Sequence, residues 1–165
     1  MTNHDFLTRI DGLFYRATDP AFREYALSGS VTAGRYSAVS QPTLYLSSSP
    51  EGVEAAMLAH RTQRAPASEI LCIRVSANNI FDLRDTHALQ YAGIDINDAI
   101  APWQEIVAAG ETPRSWRVRR RLEALGAAGL IDPSRKAPGL WHLVLFQWNQ
   151  GAGVSAELID GTGNP

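Results

Sequence analysis

The sequence predicts an α/β (α+β) fold, a single domain with a mixed central sheet and flanking helices, on three observations. Short runs rich in β-branched and aromatic residues alternate with alanine-rich helical patterns, and no internal repeat interrupts them. The length of 165 residues suits one unit over 1–165 and is enough to bury a core. The hydrophobic fraction of 45% is far above that of a disordered chain.

GLFYRA (12–17) reads as a first strand or its lead-in, followed by a polar, glycine-containing loop through Gly34 around a short helix at 20–27. TLYLS (43–47) is a strand by composition, with Thr43, Tyr45 and Ser47 on its less apolar face. Ser49 then offers an N-cap oxygen, Pro50 suits the first helical position and Glu51 sits favourably in the first turn, which predicts a helix over about 50–63. EILCIRV (69–75) and NIFDL (79–83) are two further strands; 98–109 and 113–125 read as helices, the second closed by Gly126 as a left-handed cap. DPS (132–134) has the composition of a turn, LWHLVLFQW (140–148) is the clearest late strand, and the polar tail from 151 to 165 is expected to be loose apart from an edge strand at 154–159.

The formal charge of −2 gives no basic balance to attract nucleic acid. RVRRR (117–121) invites that reading, but Val118, Leu122 and Leu125 form an apolar stripe that leaves the arginines as a solvated face. Cys72 is alone, which excludes a disulfide framework and a cysteine metal site and fits a reducing cytoplasm. No cationic segment precedes an apolar core at the start, and no apolar run approaches a membrane span, so a soluble, cytoplasmic protein with no membrane partner is expected. Neither a glycine-rich phosphate loop, a metal-ligand cluster nor a nucleophile elbow is present.

Two arginines stand out. Arg35 follows Gly34 among small residues, so backbone can approach a ligand while a guanidinium fork is offered, a geometry matched to phosphate oxygens; a loop arginine in solvent is the plainer alternative. Arg16 lies beside Tyr15 on an apolar strand, where a guanidinium calls for an anionic partner, either a ligand or a structural ion pair. Tyr45 suits stacking on a flat ring or covering the sheet. His60 shares a helix face with Val53, Ala56 and Met57, and a packed core histidine would look the same.

Taken in order, FYRAT (14–18), AGRY (33–36), TLYLSSSPEGVEAAMLAH (43–60), IFDLRD (80–85) and AGLIDPSRK leading into LVLF (128–146) resemble the RES domain, a family of bacterial NAD-consuming toxins named for an Arg, a Glu and a Ser. The resemblance covers about 13–148. It implies a fold similar to ADP-ribosyltransferases, NAD as substrate, no metal, and a cognate Xre-like antitoxin that blocks the NAD cleft, with homodimerisation inside a larger toxin–antitoxin complex as a further expectation. By the same resemblance Arg16, Tyr15, Arg35 and Tyr45 hold NAD, the pyrophosphate falling to the two arginines, while Arg35, Tyr45, His60 and Ser134 occupy catalytic positions. Asp82 and Leu83 match scaffold positions at a strand end.

One position departs from the pattern. The family glutamate of the helix after Tyr45 corresponds here to Ala56, and Glu54 and Glu51 lie about 160° and 140° around the helix from it. Two readings follow: a toxin that cleaves the nicotinamide–ribose bond and passes ADP-ribose to phosphate, water or a protein side chain, or a catalytically dead module that binds NAD or a protein partner.

Overall fold

The computed structural model describes residues 6–54, 69–133, 139–151 and 153–159. Among the described residues six strands form the sheet: β1 (Leu7–Thr18), β2 (Leu44–Ser47), β3 (Glu69–Asp82), β4 (Gly129–Pro133), β5 (Trp141–Leu145) and β6 (Val154–Leu158). Their order is β1-β2-β5-β4-β3-β6, and β1 also pairs with β3, so the ladders of β1, β2, β5, β4 and β3 close into a ring with β6 added to the outer edge of β3. Among the described residues only the β3 and β4 pair is parallel.

Closure sets the length of β3. From Cys72 the register runs to Tyr15, then Ser47, His142 and Asp132, and Asp132 lies one residue past the pair Asp82 and Ile131. One circuit therefore advances along nearly the whole of β3, the stagger that a closed ring of few strands requires. The split expected between 75 and 79 is corrected: Ser76–Asn78 lie within β3, and a bulge accounts for the break in pattern. Thr8 faces Ile80 while Ile10 faces Ala77, so one extra residue sits on β3, and Asn79 absorbs it at φ 62°.

Alternation along the strands builds two cores. Phe14, Leu46, Ile73, Val75, Ile131 and Leu143 belong to one cluster on the enclosed face of the ring. On the other face Phe81, Leu130 and Val144 pack against the helices α1 (Thr86–Ala92), α2 (Ile96–Ile100) and α4 (Arg114–Ala124). Gly129 has no room for a side chain, because a Cβ there would fall 2.4 Å from the Val144 carbonyl oxygen of β5. Gly129→Ala is expected to destabilise the fold by at least about 2 kcal/mol in a denaturant titration. An unchanged midpoint would mean that β4 and β5 part without penalty.

The helix expected over 98–109 is two helices, α2 and α3 (Gln104–Ala108). Pro102 forces the residue before it out of the helical region, and Ala101 is extended at φ −60°, ψ 150°. α1 was not anticipated, although its signals are in the sequence: the Asp85 carboxylate caps His87 and Ala88, and Gly93 closes the end at φ 69°. The turn read at DPS is likewise corrected as far as Pro133, since Gly129–Pro133 is a strand buried from Gly129 to Asp132. The short helix after β1 is a 3-10 helix, Pro20–Tyr25. β2, α4 with Gly126 at φ 90°, and the edge strand in the tail form as the sequence leads one to expect, while the late strand expected over 140–148 is shorter, Trp141–Leu145. Helical backbone begins at Pro50 and runs through 54.

Candidate functional site

Residues 34–37 form a small bridge, with Gly34 paired to Ser37, and almost every polar group of its backbone is held. From one side comes Tyr45. Its hydroxyl accepts the Tyr36 N–H at 3.0 Å and lies 2.7 Å from Ser37 Oγ. A Cβ on residue 34 would sit 2.6 Å from that hydroxyl, so Tyr45 approaches this closely only because the residue is glycine. From the other side comes α4, whose Ser115 hydroxyl donates to the Arg35 carbonyl, whose Trp116 Nε1 donates to Gly34 O at 2.8 Å, and whose Arg119 Nη1 donates to Tyr36 O at 3.0 Å. Burial raises the Tyr45 pKa, while the Ser37 and Tyr36 hydrogen bonds and the Arg119 charge pull the other way.

Arg35, fixed by its own backbone, reaches the end of α2. Its Nη1 donates to Ala99 O at 2.9 Å and Ala101 O at 2.8 Å, carbonyls that the break at Pro102 leaves without helical partners. Arg16 projects from β1 on the same face as Phe14 and donates from Nη1 to Ala26 O at 2.6 Å. No carboxylate pairs with it among the described residues, and burial lowers its pKa. The structural ion pair considered for Arg16 is therefore absent from the described part of the chain. Tyr15 points to the opposite face, next to Cys72 in register, and its pKa is raised first by burial and then by Cys72.

A polar row crosses the sheet beside Tyr15, and the sequence reading missed it. Ser47, His142 and Asp132 are direct partners across β2, β5 and β4, so their side chains share one face. Ser47 Oγ lies 3.0 Å from His142 Nδ1, and Ser47 and Asp132 are each only 5% exposed. The signal available was the pair of polar residues interrupting LIDP and WHLVL. The helix that opens at Pro50 packs on this row: a Cβ on Gly52 would come within 3.3 Å of Ser47 Cβ, and Val53 is buried while Glu51 and Glu54 are exposed.

The solvated face assigned to RVRRR needs one correction. Arg117, Arg120 and Arg121 are exposed, but Arg119 is 4% exposed, because the stripe of Val118 and Leu122 is wide enough to take in its neighbour. Arg119 donates to Thr43 Oγ1 at 2.6 Å as well as to Tyr36 O, lies over the Phe146 ring at 4.6 Å, and has Glu123 3.3 Å from Nε. It also forms one wall of an open pocket of about 410 Å³ with Gln41, Phe146 and Trp148.

Thus the structure gathers Arg35 and Tyr45 around one bridge and sets Arg16 and Tyr15 on neighbouring positions of β1. Ala56, His60 and Ser134 lie outside the described residues. Among the described residues no three His, Cys, Asp or Glu side chains are placed to hold a metal, and no helix is long and apolar enough to cross a membrane.

A family model described as the RES domain matches residues 6–162. No curated protein matches the chain. Among solved structures, the crystal structure of the M. tuberculosis MbcT-MbcA toxin-antitoxin complex contains a chain similar to this one at 13% identity, with a TM-score of 0.59 over 93% of this chain and 86% of that one.

Proposed function

The chain belongs to the RES domain family, and from that membership we propose that it is the toxin of a toxin–antitoxin pair, acting on NAD in the cytoplasm by an ADP-ribosyltransferase type of chemistry. The nicotinamide–ribose bond is cleaved and ADP-ribose passes to phosphate, water or a protein side chain. The partner is a cognate antitoxin; the structural relative, itself part of a toxin–antitoxin complex, supports that choice.

The observation that carries the reading is Arg16. A guanidinium half-buried on an apolar strand, with one backbone carbonyl and no carboxylate for company among the described residues, is suited to an anion such as the NAD pyrophosphate. Arg35 supplies a second cation, Tyr45 and Tyr15 supply aromatic surfaces, and positions 56, 60 and 134 complete the set that the family pattern assigns to catalysis. Cleavage builds positive charge on the ribose as nicotinamide leaves. A preorganised carboxylate at position 56 would stabilise that charge, and Ala56 cannot. Ala56 is the specific observation favouring a second reading, a module that binds NAD or a protein partner without turning NAD over.

The test is to incubate the chain with NAD and follow nicotinamide release with and without phosphate, alongside calorimetry. Release supports the toxin; NAD binding without release supports the module; the absence of both overturns the toxin and the NAD-binding form of the module, and leaves the protein-binding form to be tested by co-purification. Arg16→Ala is expected to weaken NAD binding at least tenfold, about 1.4 kcal/mol, with a smaller loss of stability, because among the described residues it gives up one hydrogen bond, to Ala26 O. Arg35→Ala is expected to weaken binding several-fold and also to lower the melting temperature, since Ala99 and Ala101 lose their donor. Unchanged affinity in either variant would remove that arginine from the site.

A further inference from the structure

We propose that His142, oriented by Ser47 and faced by Asp132, is the base that takes the proton of a hydroxyl acceptor when the nicotinamide–ribose bond breaks. This inference rests on the NAD-cleaving reading and names the class of acceptor that reading leaves open. Three strands far apart in sequence bring the three side chains to one level of the sheet, on one face, with the Ser47 Oγ to His142 Nδ1 separation at 3.0 Å. A carboxylate and a hydroxyl buried to 5% exposure are expensive to place in a sheet unless each has a polar partner, and in the register His142 stands between the two. His142 is the member of the row that keeps part of its surface accessible. The location is informative too. The row lies beside Tyr15 in register and beneath the helical turn that opens at Pro50, where Gly52 packs on Ser47.

The tautomer that donates Nδ1–H to Ser47 places the basic lone pair on Nε2, and Asp132 directly across the register stabilises the imidazolium that forms. In the step itself, the C1′–N bond breaks and its electron pair leaves with nicotinamide. The acceptor oxygen forms the new C1′–O bond, and its proton passes to His142. Water or a side-chain hydroxyl needs this help. Phosphate as its dianion carries its own negative oxygen and does not, so the row marks a site built for a hydroxyl acceptor.

The experiment compares His142→Ala and His142→Gln in the chain as it stands and in its Ala56→Glu form. Nicotinamide release is measured without phosphate, with phosphate, and with a serine-containing acceptor protein. Both variants should lose ~100-fold in kcat for release into water while KM for NAD stays within about threefold, and the phosphate-dependent rate should fall far less. Added imidazole should restore part of the His142→Ala rate, which a merely structural histidine would not allow. His142→Gln, with an amide in place of the ring, guards against a folding defect, checked by its melting temperature. Equal losses with water and phosphate, a change confined to KM, or absence of rescue in a folded variant would each overturn the proposal. If neither parent chain releases nicotinamide under any condition, the NAD-cleaving reading falls and the proposal with it; if the parents do and the variants match them, only the proposal falls.

Discussion

Ala56→Glu is expected to raise NAD turnover by at least ~10-fold, equivalent to about 1.4 kcal/mol of transition-state stabilisation. The reason is electrostatic. An oxocarbenium-like ribose gains positive charge only as nicotinamide departs, so a carboxylate held in place stabilises the transition state more than bound NAD and appears in kcat rather than KM. Nicotinamide release at saturating NAD is the measurement. A flat comparison would show that the charge is balanced from elsewhere. Glu51 and Glu54 are poor candidates for that role, because both are exposed in the first turn of the helix while Gly52 and Val53 pack inward.

Arg119→Ala is expected to destabilise the protein by about 3 to 5 kcal/mol, read from the denaturation midpoint. Its guanidinium ties the Tyr36 carbonyl of the 34–37 bridge to Thr43 at the start of β2 and lies against Phe146 just after β5. Removing it strands a buried carbonyl, leaves Thr43 without its donor and opens space against the ring. Arg119→Lys should recover less than half of the loss, since an ammonium cannot reproduce the planar fork over Phe146. A loss below about 1 kcal/mol for Arg119→Ala would make the arginine a bystander. The effect should extend to the candidate site, because Arg35 and Tyr45 are both fixed through the same bridge.

The elements that were legible are those whose signals are local. Pro113 and Gly126 bracket α4, Ser49 and Pro50 open their helix, and alternation marks β2, β5 and β6. What could not be read depends on partners distant in the chain. Ser76–Asn78 looks like a break until β1 lies beside it and the extra residue of β3 is taken up in a bulge. Asp132 and Pro133 resemble a turn by composition, yet they complete a strand, Gly129–Pro133, that β3 and β5 flank. Arg119 reads as solvated until Tyr36 and Thr43 present oxygens to it. At the site the same division holds. Arg16, Arg35 and Tyr45 could be singled out from their local settings, whereas Ser47, His142 and Asp132 acquire meaning only through the register of three strands.

The closed ring also fixes an order in time. Its ladder at Leu44 and Leu145 joins residues about 100 positions apart in the chain, and β1 is committed to β3 at pairs such as Thr18 and Glu69. During synthesis, β2 leaves the ribosome on the order of ten seconds before β5 exists to receive it. Until then Leu44 and Leu46 have no β5 to pair with, and pairing at such sequence separation is intrinsically slow even once the chain is whole. The row through Ser47, His142 and Asp132 therefore cannot form until β5 has been made and has taken its place between β2 and β4.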